Sequence, residues 1–266
     1  MLVENTLFGN VDKVKIAIAR LKLHEPPDGY YVAFSGGKDS CVILDLVKRA
    51  GVKFDAHYNL TTVDPPELVR FVRNEYPEVE NQLPTKTMWQ LIVEKRMPPT
   101  RLVRYCCQYL KEQGGIGRTV VTGIRHQESV KRSKRKMTET CSQHATKQYL
   151  HPIINWSEFD VWEYIHKYNV AYSSLYDEGF KRLGCVMCPY GGKDHMIKEM
   201  KRWPKIAKLY EIAFQRMIDK RRADGLKTQW ETGTEVMQWW IGFDHCHKED
   251  DRQISIFGFM ADESIT

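Results

Sequence analysis

Ser35-Gly36-Gly37-Lys38-Asp39-Ser40 lies between two apolar runs, Tyr30 to Phe34 before it and Cys41 to Val47 after it. That order predicts a strand, a glycine turn and a helix. Glycine reaches backbone conformations closed to other residues, and the first N–H groups of a helix have no partner within it. Such a turn presents an anion site suited to phosphate. The spacing is not that of the Walker loop, which needs four residues between its first glycine and a Gly-Lys-Ser/Thr triplet. An ordinary βα turn is the plain alternative.

Sulfur is the second chemical signal. Cys106-Cys107 and Cys185-Val186-Met187-Cys188 place four of the seven cysteines in two tight pairs. Cys-x-x-Cys brings two thiolates onto one metal or cluster, and Gly184 and Pro189 supply turn chemistry around it. Adjacent cysteines diverge and suit a single zinc ion poorly, whereas an iron–sulfur cube offers separate corners to neighbouring thiolates. The pattern therefore favours a [4Fe–4S] cluster held by Cys106, Cys107, Cys185 and Cys188 over zinc, with four unliganded core cysteines as the remaining alternative. Met1 to Asn5 has neither the basic start nor the apolar middle of a signal peptide, so a cytoplasmic location and reduced thiols are expected. Cys41 reads as a small packing residue in the helix after the glycine turn.

The elements that must position these residues follow from periodicity. Helix spacing covers residues 11–23, 66–75 and 88–95, and short strands are expected at 30–34, 53–58, 118–123 and 149–154. Ser157 and Asp160 form an acidic capping box before a helix through Val161 to Ile165. Strands alternating with helices predict an α/β fold with a doubly wound, mainly parallel sheet and a ligand at the carboxyl ends of its strands. Beyond residue 172 the chain turns helix-rich and basic through 197–222, then carries Trp230, Trp239 and Trp240. This predicts a nucleotide-binding domain over 1–172 and a helical, cluster-binding appendage over 173–266. Charged residues at 28% and hydrophobic ones at 42% are ordinary for a soluble chain, no apolar run approaches a membrane span, and a net charge of +6 fits polyanionic ligands.

Ser-Gly-Gly-x-Asp-Ser resembles the PP-loop of the ATP pyrophosphatase families, which bind the pyrophosphate end of ATP and usually cleave between its α- and β-phosphates. Together with both cysteine pairs, it makes the chain resemble the CysH-like, phosphoadenosine-phosphosulfate reductase branch of that superfamily. Adenylyl-sulfate reductases of this branch carry Cys-Cys, a gap of about eighty residues, then Cys-x-x-Cys around a [4Fe–4S] cluster; here 77 residues separate Cys107 from Cys185. Gly123-Ile124-Arg125, Pro152 to Trp156, Asp160 to Ile165 and Leu175-Tyr176-Asp177-Glu178-Gly179 also look like family segments. The resemblance implies a PP-loop, adenine-nucleotide α-hydrolase-like fold and a phosphate cradle at Ser35, Gly36, Gly37 and Ser40. It further implies a counter-charge from Lys38, a Mg2+ contact at Asp39, and Gly123 and Arg125 at the phosphates or sulfate. Asp64, in Thr61-Thr62-Val63-Asp64-Pro65-Pro66, falls where the family contacts nucleotide; binding ribose or magnesium and capping the following helix are equal readings of it.

One segment departs from the reductases. Their late Glu-Cys-Gly-Leu-His nucleophile has no counterpart, and the only late cysteine is Cys246 in Asp244-His245-Cys246-His247. The resemblance therefore leans toward the non-reductase, DndC-like relatives, implying an enzyme that cleaves the α/β-phosphate bond of ATP in sulfur or nucleic-acid modification or a defence system. Lys38, Asp39 and Arg125 would carry catalysis. A sulfonucleotide reductase using Cys246 and a non-catalytic nucleotide-sensing or nucleic-acid-binding subunit are the alternatives. A sulfur-donor protein is a conceivable partner, and the basic run Lys131 to Lys136 would serve any nucleic acid through its phosphates.

Overall fold

In the computed structural model residues 1–7 and 9–242 are described. The chain opens with a hairpin of β1 (Val3–Thr6) and β2 (Gly9–Asp12), then α1 (Lys13–Leu23), where the Asp12 carboxylate accepts from the Val14 N–H at 3.0 Å and caps the helix. There follow β3 (Tyr30–Phe34), α2 (Lys38–Ala50), β4 (Phe54–Asn59), α3 (Pro66–Glu75), β5 (Glu80–Gln82), α4 (Met88–Lys95) and α5 (Tyr105–Leu110). Next come β6 (Thr119–Val121), α6 (Val130–Ser133), β7 (Thr138–Thr140), β8 (Gln148–Leu150) and α7 (Glu158–Tyr168). The helices α8 (Lys193–Arg202), α9 (Pro204–Ala223) and α10 (Gly233–Gly242) complete the described part.

The strand order is β5-β4-β3-β6-β8-β7, with every pairing parallel except β7 against β8. From β3 the chain winds through β4 and β5 to one edge, then returns to build the other half from β6 and β8. The reversal falls between β3 and β6, and ligands of open α/β sheets bind in the crevice beyond the carboxyl ends at such a point. The loop after β3 is the Ser-Gly-Gly turn, and the loop after β6 is Thr122 to Arg125.

The fold is the expected α/β architecture with a mainly parallel sheet and a helical C-terminal region. Strands 30–34 and 53–58, the helices at 66–75 and 88–95, and the Ser157–Asp160 box all form where their apolar spacing puts them. The strand expected at 149–154 stops at Leu150, because Pro152 has no N–H to give a ladder and Ile154 turns back to the His151 carbonyl. The helix-rich, basic stretch at 197–222 belongs to two helices: the chain breaks at Trp203 and restarts with Pro204 at the first position of α9. The hairpin, β5 and β7 carry too few apolar residues to reveal themselves by alternation.

Two buried clusters hold the molecule. One packs α1, α2 and α7 on the sheet, with Val32, Phe34, Leu44, Val47, Trp156 and Tyr164 inside it. The other joins α8, α9 and α10 to α4 and α5 through Leu91, Ile92, Tyr210, Phe214 and Trp240, and the Trp240 indole donates to the Pro99 carbonyl at 2.6 Å. Cys41 lies wholly inside the first cluster, where burial pushes its thiol up to about 12. No described helix is long and apolar enough to cross a membrane.

His151, at the end of β8, is buried and neutral. The Arg135 guanidinium donates to its Nε2 at 3.3 Å, so Nδ1 carries the proton toward Thr122 Oγ1 at 2.7 Å. Burial, then the Arg135 charge, holds the imidazole down to about 4; Arg132 and His126 act in the same direction and Glu139 against it. The unfolded chain takes up this proton first as pH falls. The contribution of His151 is therefore complete above about pH 6.5 and lost progressively toward pH 4, a change of about 3 kcal/mol. Urea midpoints measured across that window should fall less steeply for His151→Gln than for the parent; parallel profiles would contradict this account.

Candidate nucleotide and thiol site

The loop after β3 is shaped by its glycines and braced by its serines. Gly36 has φ +71°, and a Cβ there would come within 2.8 Å of Leu68 Cδ1 on α3, so both conformation and space demand glycine. Gly37 ends the turn as the N-cap of α2 and has no side chain of its own to cap the first amides. Ser40 Oγ donates to the Gly37 carbonyl at 2.8 Å and accepts from the Ser35 N–H at 3.2 Å. The Ser40 hydroxyl thus holds the shape of the loop from within.

Cations enter from two directions. Lys38 is buried, with Nζ 3.3 Å from Glu158 Oε1 and 3.7 Å from Asp39 Oδ2. From the β6 loop, Arg125 donates through Nε to Asp39 Oδ1 at 2.6 Å. Its side chain is only 4% exposed, and Nη1 is buried without a hydrogen-bond partner. A buried guanidinium N–H left unpaired at a helix N-terminus marks a place for an anion oxygen. Gly123 makes the arrangement sterically feasible, since a Cβ there would lie 2.9 Å from both the Asp39 carbonyl oxygen and its Cβ. The two loops on either side of the sheet reversal meet at these atoms.

Three contacts were not anticipated as functional. Tyr176 Oη accepts the Lys38 N–H at 2.9 Å and its ring lies 5.3 Å below Lys38 Nζ. Lys38 Nζ also donates to the Lys181 carbonyl at 3.4 Å. Glu158, exposed on α7, completes the surroundings of the ammonium. Only the family-like segment around Leu175-Tyr176 pointed to any of them, because nothing in local spacing brings residues 158, 176 and 181 to residue 38.

The thiols gather on the neighbouring rim. Asp64 Oδ2 accepts the Thr61 N–H at 2.6 Å and closes the rim turn, whereas the N-cap of α3 is Pro65, with no side-chain cap; capping by Asp64 is therefore not what this geometry shows. The Val63 carbonyl accepts the Val186 N–H at 2.8 Å, and Cys185 Sγ lies 3.4 Å from Thr61 Oγ1. Tyr210 Oη donates to the Val186 carbonyl at 3.2 Å, and the buried Glu199 carboxylate accepts the N–H of Met187, whose φ is +57°, at 2.6 Å. Sequence pattern gave no hint of Glu199 or Tyr210.

Cys106 and Cys107 sit at the start of α5, where Cys106 and Cys185 pack against one buried cluster. The hydrogen bond from Cys106 to Cys107, then burial and the charges of Cys107, Cys185 and Cys188, push the Cys106 thiol up. The same hydrogen bond and the charges of Arg104 and Lys111 pull Cys107 down, and Arg104 Nη2 lies 3.2 Å from Cys107 Sγ. Lys111 holds its proton more tightly than an ordinary lysine because Cys185, Asp64, Cys188 and Cys107 surround it with negative charge. All four cysteines of the two pairs therefore share one electrostatic neighbourhood. Among the described residues, however, no group of three or more His, Cys, Asp or Glu side chains forms a metal-ion site.

The basic run lies just beyond Arg125. It forms α6 and the following turn, with Arg132 paired to Glu128 and Arg135 to Glu139, while Lys131, Lys134 and Lys136 are exposed. Cys246 lies outside the described residues.

Among known proteins, an uncharacterized protein of Methanocaldococcus jannaschii is 29% identical over 202 residues, 71% of this chain and 42% of the relative. The adenosine 5'-phosphosulfate reductase of Oceanobacillus iheyensis is 28% identical over 191 residues, 64% of this chain and 75% of that enzyme. The chain spans less than half the length of the first curated relatives it matches. Among solved structures, the phosphoadenylyl-sulfate reductase of Candida auris in its phosphate complex aligns with TM-score 0.49 at 20% identity, covering 66% of this chain and 88% of that one. Residues 29–190, from the entry to β3 through the second cysteine pair, match the phosphoadenosine phosphosulfate reductase domain, and the chain belongs to that family.

Proposed function

We propose that the protein binds ATP with magnesium at the α2 N-terminus and cleaves it between the α- and β-phosphates, releasing pyrophosphate and transferring or hydrolysing the adenylyl group. The observation that carries this reading is Arg125, a buried guanidinium with one N–H group unpaired, beside Lys38 at the mouth of a glycine turn. Pyrophosphate leaves with concentrated negative charge, and amides, ammonium and guanidinium fixed in a site with little water stabilise that charge without reorganising. Lys38 would neutralise the leaving group and Arg125 the opposite side of the bridge. Asp39 would contribute to magnesium binding once its hold on Arg125 is shared with the ligand.

Four thiols near the cations Arg104 and Lys111 are donor chemistry that suits an iron–sulfur cube. Cys106, Cys107, Cys185 and Cys188 would hold a [4Fe–4S] cluster, which when bound supplies metal–thiolate bonds joining α5 to the 185–188 turn. Lys111, facing both the thiols and Asp64, would carry positive charge between that centre and the nucleotide rim.

The relatives that are adenosine 5'-phosphosulfate reductases favour a second reading, reduction of a sulfonucleotide. Anaerobically purified protein incubated separately with ATP and with adenosine 5'-phosphosulfate distinguishes the two. AMP and pyrophosphate from ATP support the first; sulfite from the sulfonucleotide in the presence of a dithiol, abolished by Cys246→Ser, would replace it with the second.

A further inference from the structure

Both hydrogen-bond donors of Lys38, the backbone N–H and Nζ, reach one stretch of chain. The backbone N–H, the first of α2, goes to Tyr176 Oη at 2.9 Å, and Nζ reaches the Lys181 carbonyl at 3.4 Å. The Tyr176 hydroxyl lies over the turn itself, 3.5 Å from where a Cβ on Gly37 would be. Its ring is wedged edge-on against Trp162 at 5.3 Å, which fixes its position. One N–H has one hydrogen, so it cannot serve the tyrosine oxygen and a phosphate oxygen together. The unpaired Nη1 of Arg125, on the other side of Asp39, independently calls for an anion at this mouth.

We propose that Tyr176 is a competitive occupant of the phosphate cradle: its hydroxyl holds the Lys38 amide in place of a phosphate oxygen, and an anion that takes this amide releases the 176–181 segment. That segment runs through Leu183 and Gly184 directly into Cys185, so occupancy of the cradle and the freedom of the thiol-bearing turn are coupled. Coupling of this kind is reciprocal: whatever steadies the turn with Tyr176 in place weakens anion binding by the same factor. Burial raises the phenol well above its usual range, so it stays neutral and yields to a charged competitor without a change of protonation.

The inference rests on the phosphate reading of the loop, and the test separates the two. Inorganic pyrophosphate is titrated calorimetrically into the full chain and into Tyr176→Phe, which keeps the ring and its packing on Trp162. The variant should bind about three- to tenfold more tightly, the worth of one neutral hydrogen bond. Hydrogen exchange supplies the second readout. The amides of Gly179 and Phe180 donate to the Tyr176 and Leu175 carbonyls at 3.0 and 3.2 Å. In the ligand-free variant they should exchange as fast as in the pyrophosphate-saturated parent, and pyrophosphate should no longer accelerate them. Weaker binding by the variant would make Tyr176 a phosphate ligand instead, and equal binding with unchanged exchange would remove it from the site; either overturns the proposal. Failure of pyrophosphate to bind either protein rejects the phosphate reading, and the competition with it.

Discussion

Lys38→Ala should lower pyrophosphate release from ATP by about 10²–10³-fold or more, the cost of deleting one preorganised group that meets charge developing in the transition state. The ammonium is buried and stands between Glu158 and Asp39, so its removal also leaves two carboxylates facing the incoming phosphates. Repulsion then adds to lost attraction. Lys38→Arg should not restore the rate, because a planar fork cannot reproduce a compact charge set between Glu158 and Asp39. Circular dichroism should stay close to that of the parent, as β3 and the apolar face of α2 are untouched. Turnover of the alanine variant within threefold of the parent would reject a phosphate role for this loop.

Gly123→Ala should be nearly as damaging by a different route. The added methyl would lie 2.9 Å from backbone and Cβ of Asp39, so α2 and the β6 loop must separate by several tenths of an ångström or more. Overpacking of that kind costs about 1–3 kcal/mol in stability. The larger loss falls on ligand binding, because the displacement carries Arg125 Nε away from Asp39 and opens the mouth between Lys38 and Arg125. Nucleotide affinity is expected to drop at least tenfold by calorimetry, with a lower melting temperature. The control is Gly51→Ala at the other end of α2: unlike Gly123 it occupies a left-handed position, φ +69°, and nothing lies near its Cβ. It should lose stability alone. Unchanged affinity in Gly123→Ala would show that the two loops need no close approach.

What could be read in advance divides along physical lines. The Ser35 to Ser40 turn was legible because glycine, serine and lysine were compressed into one βα junction, where short-range rules about φ and unpaired amides apply. The α7 capping box and the long apolar helices were legible for the same reason. Glu199, Tyr210 and Glu158 were not, since each acts on a residue far away in sequence and its own neighbourhood looks like ordinary helix or loop; Tyr176 stood out only through its family-like segment. Asp64 admitted nucleotide contact or helix capping from its position alone; its carboxylate folds onto Thr61, a choice set by the left-handed Thr62 between them. Short polar strands such as β5 and β7 pair through backbone with almost no side-chain signature, so periodicity could not find them.

Glu199, Tyr210 and the Val63 carbonyl each grip a different backbone polar atom in the four-residue turn at 185–188. A segment held from three remote places is not portable. Grafting Cys-Val-Met-Cys alone onto a related scaffold would transplant its sulfur atoms without the frame that aims them. Any recombination between homologues that keeps this centre intact must therefore exchange the 61–64 rim, the turn, α8 and α9 as one inheritance.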